Sequence, residues 1–136
     1  MPDKLSLQNM SSKALESAIS IAQQRHNIIS SNISNLETPG YKAKDIDFKS
    51  AMAQALGSES KAGLAKTNMG HIGRDSGSEP EVEPFEEEGE WNGFNWVSVD
   101  KVMNTMTENN LIYRAATEAL LRKIAIMKEV IREGGR

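Results

Sequence analysis

The sequence predicts an all-α protein in which long N- and C-terminal helices pack as a coiled-coil-like hairpin, with a short helix and a long irregular middle loop between them. Three observations predict it. Apolar residues recur at three- and four-residue spacing near both ends of the chain, the mark of an amphipathic helix. Between those ends the periodicity is lost, and glycine, serine and glutamate accumulate. Aromatic residues make up only 5% of the chain while most of its seven methionines fall in the periodic segments, so burial means aliphatic and thioether packing between helices rather than a sheet sandwich. At 136 residues one core is expected. The expected divisions are an N-terminal helical segment over 1–56, a flexible middle loop over 57–96 and a C-terminal heptad helix over 97–136.

The first helix is expected from about Ser12 to Asn35. Ser11 or Ser12 offers an oxygen to the free amides of a first turn. Leu15, Ala18, Ile19, Ala22, Ile29, Ile33 and Leu36 then mark one face, interrupted where Arg25 and His26 take the seam. Thr38-Pro39-Gly40 ends the helix, because proline disfavours helical geometry in the residue before it and Pro-Gly suits the central positions of a type II turn.

A short amphipathic helix follows. Asp45 or Asp47 can cap it, Phe48, Met52, Ala55 and Leu56 share a face, and Gly57 ends it. From Gly57 to about Asn95 a long mobile connection is expected, including an acidic tract from Glu79 to Glu90 that contains no lysine or arginine.

The last segment is the most regular. Ser98 is a suitable cap, and Val99, Met103, Met106, Asn110, Tyr113, Thr117, Leu120, Ile124, Met127 and Ile131 alternate four- and three-residue steps in a heptad pattern. Asn110 inside that seam is either an exposed side chain or a residue that fixes helix register at some cost in stability. Val102, Leu111, Ile112, Ala116, Ala119, Leu121 and Val130 add apolar surface beside the seam, more than one partner helix covers.

Composition narrows the function. A net charge of −3 gives no basic excess for nucleic acid or an anionic membrane. The chain has no cysteine, so disulfides, thiolate metal sites and cysteine nucleophiles are all excluded. The two histidines, His26 and His71, lack a HExxH partner, and the acidic tract lacks the spacing of an EF-hand. There is no GxSxG elbow, SxxK motif or phosphate cradle. No catalytic or metal-binding residues and no cofactor are expected. No apolar run reaches signal-peptide or membrane-span character, so export, if it happens, is expected without a cleaved secretory signal.

One segment is far more specific than the rest. Asn32-Ile-Ser-Asn35-Leu-Glu-Thr38-Pro39-Gly40-Tyr41, followed by Lys-Ala-Lys-Asp45-Ile-Asp47-Phe48, closely resembles the signature of flagellar axial proteins, the rod and hook family. Within that family the chain is similar to the short proximal rod subunits, which lack the large inserted domain of distal members. Val97 to Met103 and Met106 to Tyr113 resemble the family's C-terminal helix, and Leu64-Ala-Lys-Thr67 with His71 its loop motif. Asn68-Met69-Gly70 departs from the usual Asp-Pro-Arg, Ser98 stands where aspartate is common, and the acidic tract with Trp91 and Trp96 looks individual.

The resemblance implies a non-enzymatic subunit of the basal-body rod in the periplasmic space, carrying torque and lining the export channel. It implies as partners copies of itself, other rod proteins, a FliE-type junction protein, the MS ring and the flagellar type III export apparatus, and no nucleic acid or small-molecule substrate. Another short rod protein remains the alternative within the family. A cytosolic coiled-coil adaptor or export chaperone is the alternative outside it, and leaves the signature unexplained.

Overall fold

The computed structural model describes residues 4–57 and 82–134, with residues 4–8 described by their backbone only. Two long antiparallel helices dominate it. Helix α1 runs Lys4–Ser34 and α3 runs Val99–Gly134, roughly 45 and 55 Å long at the α-helical rise. A short helix α2, Phe48–Gly57, packs beside α1. Two-residue strands β1, Lys44–Asp45, and β2, Phe85–Glu86, pair antiparallel, with Lys44 opposite Glu86 and Asp45 opposite Phe85. The helical hairpin expected from the sequence is therefore the fold.

Helix α1 starts eight residues before the expected Ser12. No glycine or proline interrupts Lys4 to Ser12, and serine caps a helix by preference without being able to forbid its continuation. Helix α3 starts where expected: the Val102 amide bonds the Ser98 carbonyl at 3.0 Å and the Lys101 amide reaches Ser98 Oγ at 3.4 Å. Asp47 rather than Asp45 caps α2, its carboxylate accepting from the Lys49 amide (3.1 Å) and the Ser50 hydroxyl (2.6 Å).

Helix α1 buries two faces. Ile21 packs with Ile46 of the chain after β1 and with Ala51 and Ala55 of α2, flanked by Ile28, Phe48, Met52 and Val82. Ile29 packs with Ala43, Val97 and Val102, flanked by Ile33, Leu36, Tyr41 and Met106. Asn109 Nδ2 bonds the Ala22 carbonyl at 2.8 Å, and Lys123 bonds Ser11 farther along, which sets the antiparallel register.

The seam of α3 differs from the expected one. Val102, Asn109 and Ala116, seven residues apart, are the buried positions, with Met106, Thr117 and Leu120 half-buried beside them. Val99, Met103, Asn110 and Tyr113 are exposed. At 100° per residue Val99, Asn110 and Met103 lie roughly 80°, 100° and 120° around the helix from Asn109, the middle of the inner stripe. Ile124, Met127 and Ile131 come back into phase with the inner stripe, yet stay 41%, 41% and 73% exposed because they lie level with the start of α1.

The expected mobile connection also differs in its second half. Residues 82–97 lie along the chain that follows the turn: the Glu87 amide bonds the Ala43 carbonyl (2.9 Å), the Trp96 amide bonds the Tyr41 carbonyl (3.0 Å), and the Gly40 amide bonds the Phe94 carbonyl (3.0 Å). Backbone pairing needs no hydrophobic periodicity, so the strap left no periodic signal. The motif Leu64 to Thr67 with His71, and Glu79 to Glu81 of the acidic tract, fall outside the described residues.

Candidate functional site

The residues of the specific signature meet at the end of the hairpin where α1, β1, the strap and the first turns of α3 converge. Helix α1 stops in a run of hydrogen bonds. Asn35 Nδ2 bonds the Ser31 carbonyl (2.8 Å), its Oδ1 accepts from the Thr38 hydroxyl (3.0 Å), and its carbonyl accepts from the Thr38 amide (3.0 Å). Thr38-Pro39-Gly40-Tyr41 then makes the expected turn, closed by the Tyr41 amide on the Thr38 carbonyl at 3.3 Å. Gly40 has φ of +70°, the left-handed value that position i+2 of a type II turn demands.

Asn32 joins helix to strand. It is almost fully buried; its Nδ2 donates to the Lys44 carbonyl (2.7 Å), and its Oδ1 accepts from the Lys44 amide (3.0 Å) and the Tyr41 hydroxyl (3.1 Å). An asparagine amide presents the same donor and acceptor as a peptide group, so it pairs with both sides of one strand residue. Tyr41 is anchored by that bond and by packing on the cluster around Ile29.

Asn95 does the corresponding work from the strap. It is 0% exposed, its Nδ2 donates to the carbonyls of Leu36 (2.7 Å) and Thr38 (3.4 Å), and its Oδ1 accepts from the Val97 amide (3.0 Å) and Asn92 Nδ2 (2.8 Å). Two carbonyls of the turn that follows α1 are thus satisfied by a residue about sixty positions later. Asn92 shapes the turn before it, its Oδ1 accepting from the amides of Phe94 and Asn95, both at 2.9 Å. Gly89 lets the strap close on itself: a Cβ there would stand 2.5 Å from the Trp96 carbonyl oxygen.

A buried ion pair ties this end to the hairpin. Arg25 Nε and Nη2 each donate at 2.8 Å to the two carboxylate oxygens of Asp45, whose Oδ1 also accepts from the Ile46 amide at 2.7 Å. Glu108 of α3 approaches Arg25 Nη1 at 3.5 Å. Hydrogen bonding to Asp45 raises the Arg25 pKa above its ordinary value despite the opposing effect of burial, so the guanidinium is charged throughout. On the surface, Lys42 pairs with Glu86 (3.3 Å) beside Trp96, which packs on Trp91 with centroids 4.5 Å apart, and Lys101 pairs with Glu87 (3.2 Å). Two glutamates of the acidic tract therefore have lysine partners within the chain.

The structure gathers Asn32, Asn35, Thr38, Pro39, Gly40, Tyr41 and Asp45 in this knot and places Asp47 and Phe48 at the start of α2. Of the helix-packing positions, Ala18, Ala22 and Ile29 are buried and Leu15, Ile33, Met106 and Leu120 half-buried, whereas Val99, Met103, Asn110, Tyr113, Ile124, Met127 and Ile131 are exposed. Asn109, not Asn110, is the polar residue in the seam. The reading from sequence missed Asn92, Asn95 and the Arg25–Asp45 pair. An Asn-Gly dipeptide between two tryptophans was an available turn signal. An arginine twenty residues from its aspartate leaves no local one.

Among the described residues no helix is long and apolar enough to cross a membrane, and no group of three or more candidate metal ligands gathers. What the arrangement does chemically is hold two helices, a turn and a strap in one geometry.

Comparison with known proteins points to the same residues. A family model described as flagella basal body rod protein matches residues 13–42, which is α1 from its third turn through the signature turn. The flagellar basal body rod protein FlgB of Bacillus subtilis (strain 168) is 31% identical over 121 residues, covering 88% of this chain and 92% of its own. Those of Yersinia enterocolitica and Escherichia coli (strain K12) are 30% and 29% identical over 126 residues, each covering 88% of this chain and 91% of their own. Similarity of that extent runs through both long helices and the knot between them, and the chain belongs to the FlgB family of flagellar basal body rod proteins, as a structural component of the rod.

Proposed function

We propose that this chain is a subunit of the proximal rod whose α1–α3 hairpin forms part of an inner layer around the export channel and carries torque through helix packing. The observation that supports this reading best is the apolar surface left on α3. Val99, Met103, Leu111, Tyr113, Leu121, Ile126 and Val130 are all at least 42% exposed, on several sides of one helix. A helix apolar on more than the face it buries requires neighbours from other chains.

The partners proposed are copies of the chain, other rod proteins, a FliE-type junction protein, the MS ring and the export apparatus. In this reading the signature knot sets the angle at which the chain leaves the inner helix, and Asn32, Gly40 and Asp45 hold that angle. The contacts are heterologous, since a head-to-tail surface propagates along a helical array while a twofold one closes.

Imaging of purified basal bodies carrying a labelled copy of this chain tests the reading. Label at the rod end nearest the MS ring is the expected result. Label farther along the rod would favour another rod position, and a chain found only in the cytosol would favour an adaptor or chaperone.

A further inference from the structure

Alongside α1, level with Ile21 to Ile28, the molecule carries an open groove that the hairpin itself does not fill. It has a volume of about 470 Å³ and is lined by Asp47, Ser50, Ala51, Gln54, Val82, Glu83 and Phe85. Its floor is apolar and held in place. Ala51 and Val82 belong to the cluster around Ile21, and the Val82 amide is tied to Gln24 Oε1 at 3.4 Å. Phe85 is fixed by the β1–β2 pairing yet remains 49% exposed, and Glu83 stands exposed at the rim.

At the free end of the hairpin, the last turns of α3 present the complementary chemistry. Ile124, Lys128 and Ile131 follow at steps of four and three, so the lysine lies between two exposed isoleucines on one face. The hairpin register brings Lys123 beside Ser11, so Ile131, 73% exposed, lies level with the first described turn of α1.

We infer that the groove between α2 and β2 receives the α3 tail of a second copy of this chain, with Ile131 on the Phe85–Val82 floor and Lys128 reaching Glu83. Two features of the surface select this occupant. The groove joins an apolar floor to a carboxylate rim, and the tail joins an apolar edge to an ammonium group. The groove is too small for a whole helix of about 10 Å diameter but accepts the side chains along one edge of it. Groove and tail are different surfaces of one molecule, so the contact is heterologous and leaves a free groove and a free tail after each addition. The inference rests on the rod-subunit reading above, and it adds which surfaces of two copies meet.

The absence of cysteine from the chain gives a clean test in cells. Gln54→Cys on the groove wall and Ile131→Cys on the tail are both exposed substitutions. Oxidation of cells carrying both should give a disulfide-linked dimer that neither single variant gives. Glu83→Lys or Lys128→Glu, added singly, should lower that yield about fivefold, the scale of one exposed ion pair, and the two together should restore it to within about twofold. No dimer from the double-cysteine strain, a link to a protein of another size, or a charge swap no better than its single members would each overturn the contact. Motility distinguishes the two readings. Complementation of a rod-deficient strain by the wild-type chain, with no 54–131 link, removes the contact and leaves the rod assignment standing; failure of complementation removes the assignment itself.

Discussion

Single residues in the knot divide into those whose conformation matters and those whose partners matter. Gly40 is of the first kind. A Cβ built there meets nothing within 4 Å, so its φ of +70° is the whole reason for glycine. Gly40→Val should cost about 2 kcal/mol from backbone strain alone, and Gly40→Asn distinctly less, read from urea unfolding monitored by circular dichroism. Arg25 is of the second kind. Arg25→Met strands the buried Asp45 carboxylate and should cost about 3–5 kcal/mol, whereas Arg25→Met combined with Asp45→Leu should recover more than half of that, because removing both charges also removes the desolvation penalty. Equal losses in the single and double variants would show that packing, not charge, is at stake. Asp47 adds a pH dependence. Hydrogen bonds from Ser50 and the Lys49 amide lower its pKa below the ordinary 3.8, so the cap is in force above that value and is lost as pH falls through the depressed one. Amide exchange in the first turn of α2 should accelerate at that low pH and show no such step in Asp47→Ala.

At the scale of elements, the contrast is between what periodicity carries and what it does not. The existence and type of all three helices followed from apolar spacing, and the end of α1 followed from Thr38-Pro39-Gly40. The rotation of α3 did not. Its apolar residues spread over more than half the helix surface, so more than one heptad can be drawn through them, and the hairpin uses the one through Val102, Asn109 and Ala116. The strap was illegible for a different reason, since its attachments at Ala43, Tyr41 and Gly40 are backbone bonds that any sequence can make. Only Asn92-Gly93 hinted at a turn. The seam that does form carries two buried polar atoms without partners, Asn109 Oδ1 and Thr117 Oγ1. Thr117→Val keeps the shape and removes an unsatisfied hydroxyl, so it should stabilise the hairpin by about 1 kcal/mol. Asn109→Leu should be neutral or stabilising too, but should relax the register that the bond to Ala22 defines. Cysteines at positions 11 and 123 read that register: a drop in their cross-linking without loss of helicity is the expected outcome for Asn109→Leu, and unchanged cross-linking would assign register to packing alone.

For the whole molecule, the decisive quantity is apolar surface that one chain cannot cover. The core lies along the two buried faces of α1, so α3 touches the rest of the molecule on one side only, and Leu111 and Leu121 remain 70% and 61% exposed on the others. Such surface is unfavourable in water in proportion to its area, and that free energy is recovered only when another chain covers it. Stability of the isolated chain and competence to assemble should therefore respond to different residues. Leu111→Gln and Leu121→Gln keep helix propensity and replace mostly exposed side chains, so each should change unfolding of the isolated chain by no more than about 0.5 kcal/mol. Both should sharply reduce incorporation into basal bodies, measured as the amount of chain co-purifying with them, and with it swimming. Thr117→Val gives the opposite pattern, a firmer hairpin with incorporation unchanged. If instead the two glutamine variants incorporate as well as the wild type, the outer face of α3 points at solvent in the rod, and the neighbours that hold this chain must be sought at the knot and strap, where Phe85, Trp91 and Phe94 are exposed.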